Sequence, residues 1–510
     1  MLAMNEIELG DDFAAHNNLE TFMAYSCMTS ASEFLSVSFY SSDITGTTYQ
    51  PSEIVLQCKK VFKNIIAYDK FDFDGKKESM YALRPAFDTV ADMIGKGKKV
   101  PESLLEIFAQ NPEYSAKLDS LINAKDKVPF KIFDKKNAEK LFGKNLNISA
   151  SQLEKFNLCR FSYFCNYGLN VRERQRAEIN PMQYGTIVHY ILERFFGEYT
   201  KEEYLSLEED KFQKIVCAYL AEYAVKYFGE EQLESNSFTY RLKTILDNVM
   251  YLMKHIMEEL SQSEFFVADC ELKIGEDIPS YTIVLPDGHK IAVCGSVDRV
   301  DIMQRADITY LRIIDYKTGT KQFKLSDILY GINLQMLLYL HSIEASGGDK
   351  YGDIVPAGIL YMPATVPYIS SDSLKSIDKL PDELNKKLKM NGLLLKDTEI
   401  IHGMDKTDVA TYIPVKIKAG EPVSSTSLAT LAEFGKIFKK VDMLIAEMGK
   451  NIYNGNIEAK PLKGGHDSCE YCPYDSVCAY RQSNPITCFS VDNKAVIEEI
   501  TNEINGKEEE

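Results

Sequence analysis

The chain has 510 residues, 45% of them hydrophobic and 26% charged, so it is long enough to bury a core in roughly two to four domains. A net charge of −17 excludes a protein that coats nucleic acid through bulk positive charge, although it leaves room for a local basic channel. No stretch reaches the roughly 18 consecutive apolar residues of a membrane-spanning helix, and the first residues lack a signal-peptide pattern, so we expect a cytoplasmic protein without a membrane partner.

The first part of the chain mixes short alternating apolar runs with helical patterns, and we place a domain boundary near residue 146. Directly after it, Ser151 and Glu154 have the spacing of a capping box, which predicts a helix start. Helical periodicity recurs over 184–196 and 205–262. The second region is therefore predicted to open with several helices.

Short β-branched runs replace the helices between 265 and 316 and predict a small sheet. Helical spacing then returns at 326–343, and a strand is expected at 357–362. The stretch 366–425 has little periodic signal and is predicted to be an irregular insertion.

The last part of the chain is predicted to be helical and then to lose its order. A long helix is expected at 427–452. The tail 491–510 ends in EEINGKEEE, which contains almost nothing to bury, and we expect it to be frayed.

A hairpin within the predicted sheet brings carboxylates together. Its strands, 297–303 and 309–316, are separated by five residues, and in an antiparallel register Asp298 and Asp315 become cross-strand neighbours with Cβ atoms roughly 5 Å apart. Because strand side chains alternate between faces, Asp315 and Lys317 share one face. Two carboxylates beside a lysine suit Mg²⁺, which lowers the pKa of a bound water and offsets negative charge on phosphate.

Two predicted helices offer further groups to this site. His189 lies on the helix at 184–196 and could add a metal ligand. Gln335 and Tyr339 are four residues apart, hence on one helical face, where they could hold a phosphate or position the lysine. Each element alone is weak, since surface ion pairs explain most such residues. Their combination in this chain order indicates phosphate chemistry.

Four short motifs carry a resemblance to a known family. They are 185–189 (GTIVH), 295–301 (GSVDRVD), 314–319 (IDYKTG) and 335–339 (QMLLY). This set resembles the motifs of PD-(D/E)xK nucleases in the RecB/AddB/Cas4 branch. The resemblance implies an α/β fold with a restriction-endonuclease-like core, a small mixed sheet flanked by helices.

The resemblance also implies roles for the site residues. The residues that would bind Mg²⁺ or Mn²⁺ are His189, Asp298, Asp315 and Tyr316, the last through its main-chain carbonyl. Lys317 would be the catalytic base or would position the attacking water, and Gln335 and Tyr339 would form the family's supporting motif.

A cysteine group near the C-terminus predicts a second metal site. Cys469, Cys472 and Cys478 form a C-x2-C-x5-C pattern, and thiolates this close are costly unless a metal offsets their charge. Zinc and iron-sulfur clusters both commonly take four cysteines; the fourth candidate is Cys159, with Cys165 as its rival. Spacing alone leaves zinc, an iron-sulfur cluster and unligated core cysteines open.

The order of these elements favours a cluster by resemblance. One cysteine in a phenylalanine-rich helix, then the nuclease motifs, then the cysteine group is similar to the iron-staple nuclease domain of AddB-type proteins, which carries a 4Fe-4S cluster. The resemblance implies the ligands Cys159, Cys469, Cys472 and Cys478 and a nuclease domain over 147–490. Because closing so long a loop removes chain entropy from the unfolded state, we expect the cluster to be structural.

The N-terminal segment carries a weaker resemblance. Residues 18–56 resemble the end of the second RecA-like helicase domain of AddB-type proteins. The Thr-Arg pair that contacts ATP phosphate in related helicases is Thr29-Ser30 here, and the sequence contains no GxxxxGK(S/T) phosphate loop. We therefore expect residues 1–146 to be a degenerate helicase-like remnant with connecting helices, and this chain not to hydrolyse ATP.

The first functional hypothesis is a metal-dependent DNA nuclease, exonuclease or endonuclease, acting on single-stranded DNA. The resemblance implies a helicase-nuclease complex of double-strand-break repair and recombination, with an AddA-like protein as partner. A free-standing Cas4-type nuclease is disfavoured because such proteins are usually small. A structural DNA-binding subunit with an idle site is disfavoured because buried carboxylates are costly to keep together without a use.

Overall fold

In the computed structural model, the described residues are 13–41, 48–62, 65, 82–95, 98–123, 131–132, 134–172, 181–228, 236–319, 322–367, 369, 380–407, 409–418, 420–424, 426–475, 477–478, 480 and 485–508. The chain divides into two compact units, Met1–Lys127 and Val128–Glu510. The boundary that we predicted near residue 146 thus falls inside the second unit. None of the helices in the described ranges combines the length and the apolar character needed to cross a membrane.

The described residues of the first unit form helices. They are α1 Phe13–Thr29, α2 Glu53–Val61, α3 Leu83–Gly95, α4 Glu102–Gln110 and α5 Ser115–Asn123. Its small core is built on three aromatic rings, Phe87, Phe108 and Tyr114, whose centroids lie 4.9–5.5 Å apart. The helicase-like remnant stays a prediction.

The second unit contains the remaining helices. They are α6 Lys135–Phe142, α7 Ala150–Leu158, α8 Arg160–Tyr163, a π-turn Phe164–Gly168, α9 Pro181–Glu198, α10 Lys201–Leu205, α11 Glu209–Phe228, α12 Asn236–Ser261, a 3-10 helix Leu325–Tyr330, α13 Gln335–Ser346, α14 Gly348–Tyr351, α15 Leu380–Leu388, α16 Thr398–Met404, α17 Leu431–Tyr453 and α18 Asn493–Glu508.

Its strands alternate with these helices. They are β1 Asn145–Ile148, β2 Phe266–Ile274, β3 Thr282–Val284, β4 Lys290–Val293, β5 Gly295–Arg305, β6 Ile308–Lys317, β7 Asp353–Pro363, β8 Asn391–Leu395, β9 Lys416–Lys418, β10 Glu421–Val423, β11 Leu428–Ala429, β12 Leu462–Gly464 and β13 Ile486–Cys488. Helices and strands together confirm the predicted α/β class.

The central sheet has the strand order β11-β8-β7-β6-β5-β2. β6 runs parallel to β7, whereas β5 is antiparallel to both β6 and β2, so the sheet is mixed, as predicted. Smaller pairings lie beside it, among them the parallel pair of β12 and β13 in the cysteine-rich region.

Helices cover both faces of this sheet. On one face, Arg299 of β5 and Arg312 of β6 bind Glu259 of α12. Because side chains alternate, Asp315 of β6 points to the other face, where Gln335 of α13 donates to it. The sheet and its helices share one continuous apolar core, so the hairpin is held rigidly from both sides.

The helix predicted at 326–343 consists of two elements in the structure. A 3-10 helix ends at Tyr330, and α13 begins only at Gln335. Between them Gly331 and Asn333 have left-handed backbone, with φ of 69° and 53°, which breaks the helical path. The consequence is that Gln335 lies at the start of a helix.

The stretch 366–425, predicted to be an irregular insertion, also contains regular structure. Its β8 pairs with β7 in the central sheet. A Cβ atom at Gly392 would lie 2.0 Å from the carbonyl oxygen of Ile359, so the close strand approach requires glycine there. This strand is almost fully buried and has a continuous apolar pattern, which carries no alternation to detect.

The acidic tail was wrongly expected to fray. It forms α18, in which Val496 and Ile500 are four residues apart and fully buried in the main core. Lys440 of α17 also binds Glu503, with Nζ 2.5 Å from the carboxylate oxygen. Two buried side chains on one helical face are enough to dock a helix with an otherwise acidic surface.

The capping box at the start of α7 also differs from the prediction. Ser149 caps the helix and Gln152 completes the box, so Ser151 and Glu154 do not. Glu154 instead accepts a hydrogen bond from the backbone N–H of Leu334, at 2.8 Å, directly before α13.

Candidate functional site

The hairpin of β5 and β6 has the register that we predicted. Arg299 stands opposite Ile314, which places Asp298 opposite Asp315. Asp298 Oδ2 also accepts a hydrogen bond from the backbone N–H of Tyr316, at 2.9 Å. The two carboxylates are therefore neighbours on one face of the sheet.

A third carboxylate, missed in the sequence, extends this pair into a row. On β2, Cys270 stands opposite Arg299 and Leu272 opposite Val297, so Glu271 lies opposite Asp298. Glu271 has a φ of 52°, a backbone conformation that a non-glycine residue adopts at a cost. We name Glu271, Asp298 and Asp315 the acid row. A lone glutamate in a strand gives no sequence signal unless the strand register is known.

His189 reaches the acid row from α9. Its Nδ1 lies 3.1 Å from Glu271 Oε1 and 3.6 Å from Asp298 Oδ1. Ligand atoms of His189, Glu271 and Asp298 all lie within 4.8 Å of one another, a spacing that can hold a metal ion. Ser296 donates to the second oxygen of Glu271 at 2.8 Å and fixes that carboxylate.

Asp315 is buried and only partly hydrogen-bonded. Gln335 Nε2 donates to Asp315 Oδ1 at 3.1 Å. The other oxygen, Oδ2, accepts no well-formed hydrogen bond from the described residues, although Lys317 Nζ lies 2.5 Å away as an ion pair. A buried carboxylate oxygen that lacks a hydrogen-bond donor is suited to a cation.

The electrostatics of the acid row also favour a cation. Burial, followed by the charge of Asp315, raises the pKa of Asp298 to about 7. Burial lowers the pKa of His189, but the hydrogen bond with Glu271 and the charge of Asp298 outweigh it, and the net pKa is raised. Acidic oxygens and one imidazole are donors that fit a divalent metal such as Mg²⁺ or Mn²⁺.

Tyr339 lies beside the acid row and packs against the start of β5. A Cβ atom at Gly295 would lie 2.2 Å from the Tyr339 hydroxyl, so glycine is required for this approach. Burial raises the pKa of Tyr339 to about 12, so its hydroxyl stays protonated. Its contact with β5 supports the strand that carries Asp298.

The opposite face of the same hairpin contains a buried ion network. We name Glu259, Arg299, Asp301 and Arg312 the charge quartet; all four are fully buried. Arg299 binds Asp301 through two hydrogen bonds of 2.7 Å, and both arginines bind Glu259. Arg299 also donates to the Tyr316 hydroxyl at 3.3 Å, which anchors the residue between Asp315 and Lys317.

The cysteines predicted as metal ligands converge in space. Cys159 packs in one small cluster with Cys472, Cys478 and Tyr474. Burial, and then the charges of Cys472 and Cys469, raise the pKa of Cys478, so these three thiols lie close to one another. The rival Cys165 is buried in the same cluster.

The surroundings of Cys159 fit a metal-bound thiolate. Burial raises the pKa of Cys159, while backbone N–H groups of Ser162, Phe161 and Lys460 oppose this rise. Backbone N–H groups directed at cysteine sulfur are a feature of iron-sulfur sites. The donor set therefore fits an iron-sulfur cluster.

Comparison with known proteins decides the family. Residues 147–479 match the PD-(D/E)XK nuclease superfamily, which is about two thirds of the chain. The chain belongs to this superfamily. The match spans every residue of the acid row together with His189, Lys317, Gln335 and Tyr339.

Several relatives are named as the B-type subunit of an ATP-dependent helicase/deoxyribonuclease. The chain is similar to that of Thermoanaerobacter sp. (strain X514), with 31% identity over 94% of this chain and 43% of the relative. It is also similar to those of Clostridium acetobutylicum, with 30% identity over 98% and 44%, and Clostridium kluyveri, with 30% over 100% and 46%. The chain spans less than half the length of these relatives.

Proposed function

We propose that this chain is a metal-dependent deoxyribonuclease that hydrolyses phosphodiester bonds in single-stranded DNA. The observation that carries the proposal is the acid row, with His189 and Lys317 at its ends, on a sheet of the nuclease superfamily. The names of the relatives support a wider setting, a helicase-nuclease complex of double-strand-break repair and recombination in the cytoplasm. In that complex the partner is an AddA-like protein.

The residues divide the work of hydrolysis. His189, Asp298 and Asp315, with the main-chain carbonyl of Tyr316, hold Mg²⁺ or Mn²⁺, and Glu271 joins or orients this set. When bound, the cation supplies Lewis-acid stabilisation of negative charge on the phosphate. Lys317 positions the attacking water as the base or its neighbour. Gln335 keeps Asp315 turned toward the site through its hydrogen bond, and Tyr339 supports β5.

A cleavage assay tests this proposal. The purified chain is incubated with 5′-labelled or 3′-labelled single strands, in Mg²⁺ or in chelator, beside a duplex of the same sequence. We expect cleavage of the single strand in Mg²⁺ and its loss in chelator. The variants Asp315→Ala and Lys317→Ala remove a cation ligand and the ammonium group, so both should abolish cleavage with the fold retained.

Matched controls are available on the same sheet region. Asp307→Ala changes an exposed aspartate of the β5–β6 turn, and Lys290→Ala an exposed lysine of β4, and both should cleave as the parent chain does. Undiminished cleavage by Asp315→Ala contradicts the proposed site. DNA binding without cleavage in Mg²⁺ favours a structural subunit with an idle site. ATP hydrolysis is not expected from this chain.

We further propose that Cys159, Cys469, Cys472 and Cys478 hold a 4Fe-4S cluster that closes the nuclease domain. Their convergence and the N–H groups around Cys159 support it. Protein purified without oxygen should be brown, with absorbance at about 400 nm and about four iron atoms per chain. A colourless protein that contains zinc contradicts the cluster and leaves the nuclease proposal intact.

A further inference from the structure

The cysteine cluster contains one thiol more than a four-cysteine site needs. Cys165 is 5% exposed and Cys159 8%, and both pack in the cluster that Cys472 and Cys478 contact. Burial raises the pKa of Cys165, and the next contributions come from Cys472, Cys478 and Cys159, in that order. Cys165 is therefore close to both cysteines of the C-terminal group.

The backbone is irregular at both upstream cysteines. In an unbroken α-helix, two residues six positions apart point about 120° away from each other. Here the helix is interrupted at Cys159, with φ of −168° and ψ of 118°, and a π-turn at Phe164–Gly168 contains Cys165. These two departures allow both thiols to face one cluster, and π-turns of this kind occur often at functional sites.

A hydrogen-bonded chain ties Cys165 to the C-terminal cysteines. Tyr474 lies between Cys472 and Cys478, and its hydroxyl donates to the carbonyl of Val171 at 2.7 Å. The backbone N–H of Val171 donates in turn to the carbonyl of Cys165 at 2.9 Å. The loop that carries two cluster ligands is thus attached directly to the turn that carries Cys165.

We propose that Cys165 is a reserve ligand of the iron-sulfur cluster, able to bind the iron that Cys159 serves. In the exchange, the Cys165 thiol gives its proton to solvent as its sulfur binds iron, and the Cys159 sulfur takes up a proton as its bond to iron breaks. No change of oxidation state is needed. This inference rests on the cluster proposed above.

Ligand variants of the full chain, purified without oxygen, test the exchange. The measured quantities are iron and acid-labile sulfide per chain and the visible spectrum. Cys165→Ser should keep its iron, Cys159→Ser should keep a cluster with a shifted visible spectrum, and the double variant should lose it. Cys217→Ser on α11 is the control and should match the parent chain. The exchange is contradicted if Cys159→Ser holds as little iron as the double variant.

A second measurement does not depend on the folding of Cys159→Ser. The parent chain, Cys165→Ser and Cys217→Ser are exposed to an iron chelator, and the loss of visible absorbance is followed with time. Cys165→Ser should lose its cluster faster, while the melting temperature of its iron-free form should equal that of the iron-free parent. Equal rates of loss overturn the proposal. A parent chain without iron overturns the cluster itself.

Discussion

The two faces of the β5–β6 hairpin carry opposite solutions to the burial of charge. On one face, the charge quartet sets Glu259 and Asp301 against Arg299 and Arg312, so its charges cancel. On the other face, the three carboxylates of the acid row meet Lys317 and a histidine. The first arrangement is complete within the protein, whereas the second fits an added cation.

This difference assigns separate tasks to residues one position apart. Asp298 and Arg299 are neighbours in sequence but face opposite layers. Loss of a member of the quartet leaves an unpaired buried charge and costs stability. Loss of a member of the acid row removes negative charge from a crowded site and costs function.

The largest expected effect is on cleavage. Asp298→Asn removes one proposed cation ligand, so nuclease activity in Mg²⁺ should fall to background. The free energy of unfolding in chelator should not decrease, because the buried charge beside Asp315 is gone. Activity on labelled single strands and urea unfolding check the two halves. A variant that loses stability and keeps activity would reverse the comparison.

The matching change on the other face should lower stability. Asp301→Asn breaks the bonds from Arg299 and Arg312 and should reduce the free energy of unfolding by about 3–5 kcal/mol. Urea unfolding in chelator measures this loss, with exposed Asp307→Asn as the control. A loss equal to that of the control would show that the quartet is not needed for stability.

A smaller effect is expected from the residue missed in the sequence. Glu271→Gln keeps the shape of the side chain but removes the charge that meets His189, so Mg²⁺ affinity should fall by roughly 10–100-fold. Calorimetric titration with Mg²⁺ measures it. Asp269→Asn on the same strand serves as control, because Asp269 binds Lys350 and Tyr351 instead. Unchanged affinity in Glu271→Gln would remove Glu271 from the site.

The smallest effect is a pH dependence of cation binding. The pKa of Asp298 is raised to about 7 by burial and by Asp315, and the pKa of His189 is also raised. Both groups keep their protons to higher pH than usual, and the cation must displace them. Mg²⁺ affinity should therefore rise as the pH increases through about 7, which calorimetry at several pH values measures. An affinity independent of pH in this range contradicts the raised pKa of Asp298.

The hairpin could be predicted because its strands are adjacent in sequence. A short turn fixes the register, and the register places Asp298 opposite Asp315. The mixed α/β fold followed from alternating helical and strand patterns. Gln335 was placed beside Asp315 only through resemblance, since the break at Gly331 that starts its helix there was not predicted.

Other parts depend on contacts that sequence patterns do not encode. Glu271 joins the acid row through pairing of β2 with β5, two strands that are not joined by a tight turn. The order of α18 depends on the packing of Val496 and Ile500 in a distant core. The position of Cys165 depends on a π-turn, which has no periodic signal.

Diffraction from crystals soaked in Mn²⁺ tests the acid row most directly, because the anomalous signal locates the metal. We expect a peak within coordination distance of His189, Asp298 and Asp315 in the parent chain, and its absence in Asp298→Asn. Well-ordered side chains with no peak between them in the parent chain would contradict a metal-dependent nuclease site on this hairpin.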